Sequence, residues 1–177
     1  MQRINRTYII VCILALAFIF SNCYKQNLNE LPVETQTGSN TFGCKVNGVI
    51  YRPVGVPFSL SYAYDVRYSK ANKVVSISTR NGDQFLRIVL DSVYQPGTYP
   101  IFNPIKNSFN YANASLDSAC VEFANYNSTQ IGSVIITRID TINKIVSGRF
   151  SGILTKSSCD NINITEGRFD YKMDMYP

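Results

Sequence analysis

The sequence contains no histidine and no tryptophan. Losing histidine removes the commonest general base and the commonest metal ligand together. A nucleophilic cysteine or serine would find no imidazole to take its proton. There is no Gly-x-Ser-x-Gly elbow, no glycine-rich phosphate loop and no calcium-loop pattern. Charge is also scarce. Only 16% of residues are charged, and the net +5 is spread without a Lys/Arg cluster, so the electrostatic footprint of nucleic-acid binding is missing. After position 23 no stretch keeps apolar residues at i, i+3, i+4 and i+7, which argues against a helical bundle. Aromatics make up 12%, a composition that suits a packed domain rather than general disorder.

What the chain does have begins at its N-terminus. Arg3 and Arg6 are followed by the apolar run Tyr8–Phe20 and then by Ser21-Asn22-Cys23. The run is 13 residues long, whereas a helix needs about 20 residues to cross a hydrocarbon core of about 30 Å. This is the layout of an export signal rather than a permanent span. Residues 20–23 resemble the lipobox of bacterial lipoproteins, with Phe20 at −3, Ser21 at −2 and Asn22 at −1, where Gly, Ala or Ser is usual. The resemblance implies a diacylglycerol on the Cys23 thiol, cleavage before it and acylation of the new amine. Two or three acyl chains make a lasting anchor, since each buried CH₂ contributes roughly 0.8 kcal/mol. The expectation is a protein of the cell envelope, held by lipid at the outer membrane, on a face that the sequence leaves open.

Cleavage before Cys23 would leave 155 residues, enough for one core. Three units are expected: a signal helix over 1–22, lipidated Cys23 with a flexible tether over 23–41, and an antiparallel β domain over 42–177. The tether is expected from Tyr24 to Thr41, which is polar and lacks an apolar period. Turn chemistry then declares hairpins at Asn47-Gly48 and Asn81-Gly82, where a type I′ turn needs positive φ. Pro96-Gly97 predicts a type II turn, and the Asn-rich stretch Asn103–Asn113 predicts mostly loop. Ile131–Ile139 and Ile145–Leu154 read as a hairpin around Asp140–Lys144, with Val146, Gly148, Phe150, Gly152 and Leu154 on one face. In the last strand Gly167, Phe169, Tyr171 and Met173 alternate with Arg168, Asp170, Lys172 and Asp174. The fold class is therefore all-β, a single sandwich or barrel-like domain of roughly eight to ten strands.

Several groups invite a functional reading. The triplet Gly-Arg-Phe occurs at 148–150 and again at 167–169. It reads either as a paired basic site for an anion or, the simpler reading, as two strands that each turn Phe inward and Arg outward toward carboxylates such as Asp170. Tyr94, Tyr99, Phe102, Phe109, Tyr111 and Tyr126 lie around turns and loops. They either stack on sugars or anchor a partner protein, or cap the open ends of the core. Cys44, Cys120 and Cys159 remain after Cys23; the pairing Cys120 with Cys159 is favoured from their polar, element-edge surroundings, with Cys44 as a small buried hydrophobe. Three scattered cysteines lack zinc spacing, so no metal and no cofactor is expected.

Two functions from different classes follow. One is a non-catalytic module that binds a glycan or an envelope protein. The other is a glycan hydrolase using two of Asp83, Asp91, Glu122, Asp140 and Glu166, which would have to face each other across about 5 to 9 Å. The phrases Leu31–Gly38, Asn40–Cys44, Val46-Asn47-Gly48, Ser147–Phe150 and Ile164–Asp170 resemble a family of Bacteroidota lipoproteins. That resemblance runs from Leu31 to the C-terminus, implies a lipid-anchored single β domain, and carries no activity with it.

Overall fold

The computed structural model describes residues 29–54, 63–102 and 106–177. The signal segment, Cys23 and the first part of the expected tether lie outside the described residues. Twelve strands are described, with no helix among the described residues. They are β1 (Thr41–Val46), β2 (Val49–Tyr51), β3 (Tyr64–Ser69), β4 (Val74–Asn81), β5 (Gln84–Leu90), β6 (Gly97–Phe102), β7 (Ser108–Asn113), β8 (Glu122–Phe123), β9 (Thr129–Asp140), β10 (Ile145–Thr155), β11 (Ile162–Lys172) and β12 (Asp174–Tyr176). Sheet A has the order β2-β1-β11-β10-β9-β6 and sheet B the order β12-β3-β4-β5-β7-β8. The two sheets pack as a sandwich and do not close into a barrel.

Period-two alternation explains the core. Val146, Gly148, Phe150, Gly152 and Leu154 of β10 are all buried on the inner face, as the sequence pattern requires. They meet Val75, Ile77, Leu86, Ile88 and Leu90 of sheet B in one cluster. Aromatic rings fill much of it, with Phe42 and Phe150 5.1 Å apart, and exposed Tyr64 covers buried Tyr171 from the side at 4.7 Å. Gln130, buried on β9, ties the sheets together: its Oε1 accepts from Phe109 N and its Nε2 donates to Phe109 O. Beyond Lys172 the chain changes sheets. Buried Met173 donates its amide to Lys144 O, and β12 then runs parallel to β3 in sheet B.

Local expectations hold or shift for identifiable reasons. Asn47 and Gly48 both take positive φ between β1 and β2, as the tight turn demands. At the second hairpin the loop is Gly82–Asp83, one residue later than expected, and Asn81 pairs with Gln84 inside the ladder. Gly82 alone supplies the positive φ there. Gly97 opens β6 outside the left-handed region, so the expected type II turn at Pro96-Gly97 is corrected. The stretch expected as Asn-rich loop contains β7, in which Phe109 and Tyr111 point inward while Ser108, Asn110 and Ala112 alternate outward.

The expected tether is corrected over its described part. Residues 30–40 form a strap that crosses the outer face of sheet A before entering β1. Glu30 O accepts from Arg52 Nη1, Pro32 lies over Gly43, and Gln36 O accepts from Arg138 Nη1. Scattered hydrogen bonds and the single turn of Leu31 and Pro32 over Gly43, rather than an apolar period, hold it down, which is why composition alone read it as free chain.

Candidate functional site

The two Gly-Arg-Phe triplets are brought together. In the β10–β11 ladder Gly148 pairs with Phe169, Arg149 with Arg168, and Phe150 with Gly167. Each glycine makes room for the ring opposite. A Cβ on Gly148 would meet Phe169 Cζ at 2.7 Å, and one on Gly167 would meet the Phe150 ring at 2.6 Å. The inward residues therefore account for the packing, and the two arginines are left side by side on the outer face. Directly opposed like charges are unfavourable across a ladder. One carboxylate offsets them: Glu34 Oε2 of the strap accepts from Arg149 Nε at 2.8 Å and Nη2 at 2.6 Å. Arg168 reaches only backbone carbonyls among the described residues, Pro32 O and Glu166 O, each at 3.4 Å. The expected contact of these arginines with Asp170 is thus corrected. Beside them lies an open groove of about 240 Å³, lined by Glu34, Ser133, Ile135, Ser151 and Glu166.

Asp170 has a different task. It sits on the outer face of β11 yet is only 1% exposed, because the strap lies over it. Its carboxylate accepts from Thr35 Oγ1 (2.6 Å), Thr37 N (3.0 Å), Gly38 N (2.8 Å), Ser39 N (3.0 Å) and Ser147 Oγ (2.7 Å). Burial opposes its charge, but the Ser39 amide, the Thr35 and Ser147 hydroxyls and the Gly38 amide outweigh that effect and hold the carboxyl well below the usual range. The strap also covers Ile145 and encloses, with Arg149, Arg168 and Thr137, a cavity of about 250 Å³.

The rest of that face is bare. Phe102, Ile131 and Ile153 are cross-strand neighbours on β6, β9 and β10, and they are 63%, 67% and 46% exposed. Of the expected aromatic group, only Phe102 belongs to this row. Tyr94 is exposed on the loop before β6, and Tyr99 turns inward with its hydroxyl donating to Gln95 O. Phe109 and Tyr111 are core residues, so they are removed from the candidate set. Tyr126 is exposed near the β8 edge of sheet B and donates to Glu122. Ile131 and Ile153 were missed as site residues; the signal was available, since both fall on the polar-facing parity of their strands.

The family described as Domain of unknown function (DUF6252) matches residues 61–172, nearly two thirds of the chain. The chain belongs to the DUF6252 family. No curated protein and no solved structure matches it. The DUF6252 segment carries both Gly-Arg-Phe triplets, Asp170 and the apolar row, whereas the strap, β1 and β2 precede it.

Within this DUF6252 domain Cys120 and Cys159 form a disulfide, the pairing favoured from the sequence. Cys44 is a free, buried thiol, and burial pushes its pKa up to about 12, which suits a hydrophobe and not a nucleophile. Cys23 lies outside the described residues. Among the described residues no group of three or more His, Cys, Asp or Glu stands together as a metal site. The candidate carboxylates are dispersed. Asp83 sits in the β4–β5 turn, Asp91 follows β5 and Glu122 is on β8, while Asp140 and Glu166 share sheet A. Asp140 aligns through Ile145 with Lys172, six residues along β11 from Glu166 and so about 20 Å away. That exceeds any glycosidase spacing. Asp140 is engaged elsewhere: it accepts from Asn143 side chain and amide, Arg138 and Ile142 N, which lower its pKa and shape the β9–β10 loop. Glu166 pairs with Lys45.

Proposed function

We propose that the protein is a non-catalytic binding module of the cell envelope, anchored at the outer membrane through acylated Cys23, which offers the uncovered part of the outer face of sheet A to a glycan or an envelope protein. The observation that carries this reading is the exposed row of Phe102, Ile131 and Ile153. An antiparallel sheet with one face on the core ordinarily keeps its other face polar, and adjoining exposed apolar side chains mark contact surfaces. The strap supports the anchored geometry as well. Seven residue steps separate Cys23 from Glu30, where docking begins, so the link spans at most about 25 Å. The domain would sit close to the headgroups with its strap side tied down.

The test has two parts. Radiolabelled fatty acid should enter the wild-type chain and not Cys23→Ser, and the variant should leave the membrane fraction; identical fractionation of the two would overturn the anchor. Envelope extracts and a glycan array should be retained by the wild-type protein and lost from Phe102→Ser/Ile131→Ser. Retention unchanged in that double variant would overturn the binding face.

A further inference from the structure

We infer that the cross-strand pair Arg149 and Arg168 is a subsite for the acidic group of a polysaccharide, and that Glu34 of the strap is a resident carboxylate which the ligand displaces. The inference rests on the reading of this sheet face as a binding surface and names the ligand class.

Packing does not call for arginine at either position. Gly148, Phe150, Gly167 and Phe169 make the inward contacts, and the arginines occupy the outward places between them. Opposing two guanidinium groups on neighbouring strands works against stability, and among the described residues exposed Glu34 is the carboxylate that pairs with them, while Glu166 in the same groove pairs with Lys45. Glu34 shows what the subsite accepts, because both Nε and Nη2 of Arg149 converge on one of its oxygens. Among the described residues the Arg168 guanidinium, which faces the same groove, makes two long contacts to carbonyls, leaving it able to take the stronger, charge-assisted bonds of an anionic oxygen. The cross-strand pair Ser133 and Ser151 lines the groove between the arginines and the apolar row, two residues along each strand from both. An extended ligand would thus meet charge, hydroxyl and apolar surface over roughly 13 Å.

Position decides between ligand classes. A peptide that docks on a sheet by adding a strand needs an open edge, and Arg149 and Arg168 lie on β10 and β11, in the middle of a sheet whose edges are β2 and β6. A saccharide chain lying flat along the strands needs no backbone pairing. Carboxylate and phosphate substituents share the chemistry that this pair recognises.

The test uses the full-length chain in non-ionic detergent, with binding measured by calorimetry to oligogalacturonate, to its carboxyl-reduced neutral counterpart, to polyphosphate and to polyglutamate. Oligogalacturonate should bind, and polyphosphate binding beside it would show that the pair takes phosphate as well as carboxylate. Arg149→Gln and Arg168→Gln should each weaken that binding by about tenfold to a hundredfold, while Glu34→Gln should strengthen it about two- to fivefold. Unchanged melting of each variant keeps the comparison free of folding effects, and Arg168→Lys should restore part of the affinity. No binding to any acidic probe, or full affinity in Arg168→Gln, overturns the subsite. Equal binding of the neutral saccharide also overturns it while leaving the Phe102 face intact as a binding surface. Binding of polyglutamate or polyphosphate alone overturns the polysaccharide assignment.

Discussion

The outer face of sheet A has two ends that obey the same strand alternation and meet opposite fates. At one end Ile145, Ser147 and Asp170 point outward and are buried, because residues 35–39 lie over them. At the other end Ile131 of β9 and Ile153 of β10 point outward and stand in solvent. The covered end combines a carboxylate with hydroxyl and amide donors; the bare end offers three apolar side chains in a row. Parity along a strand tells which side of a sheet a residue takes, and burial then depends on what crosses that side. A polar clasp, closed by one aspartate, has made half of a solvent face into a small second interior.

The largest effect is expected from unclasping the covered end. Asp170→Ala removes the acceptor of all five described donors and should cost about 3 kcal/mol. A urea titration should show the lower midpoint, and limited proteolysis should cut within 31–40 before the domain unfolds; a strap still protected would separate clasp from cover. Acid should reproduce part of this loss without mutation. The Asp170 pKa is lowered on folding from its ordinary 3.8, so its contribution is complete above that value and is lost as the pH falls below about 4 toward the folded pKa. Asp140 titrates in the same direction. Asp170→Asn should therefore flatten the acid loss seen by urea midpoints from pH 5 to pH 2, and Asp140→Asn should flatten it by a smaller amount.

Smaller effects sharpen the contrast. Gly38 holds a φ of +74° in the strap, and a Cβ there would meet Lys172 Cγ at 2.9 Å and Ile145 Cγ1 at 3.2 Å. Gly38→Ala should cost about 1 kcal/mol in the same titration. Glu34→Gln, at the border between the ends, breaks an exposed pair and should change stability by less than about 1 kcal/mol. Ile131→Ser at the bare end should shift the midpoint by no more than about 0.5 kcal/mol. A large loss there would mean that the row is structural and not a contact surface.

Much of the sandwich was legible because its signals are local. Two β-branched runs around Asp140–Lys144 gave β9 and β10, and Asn47-Gly48 gave its turn outright. β7 was hidden by asparagine, although Phe109 and Tyr111 alternate with Ser108, Asn110 and Ala112. Reading loops from composition there outweighed period two, and it put Phe109 and Tyr111 around turns and loops instead of on the inner face of a strand. The candidate site was only half legible. The Gly-Arg-Phe repeat marked both arginines, but nothing in either triplet told that the two would align in mirror register, glycine under phenylalanine and arginine beside arginine.

By itself the sequence determined the Asn47-Gly48 turn and which side chains of β10 and β11 are inward, because these depend on neighbours a few residues apart. Only the tertiary structure decided that a polar N-terminal stretch becomes a strap, that Asp170 is buried by it, and that Ile131 is left uncovered. Thr35 and Asp170 are separated by 135 positions. Contacts of that span leave no period in the chain, since they are fixed by which strands become neighbours and not by the order of residues along any one of them.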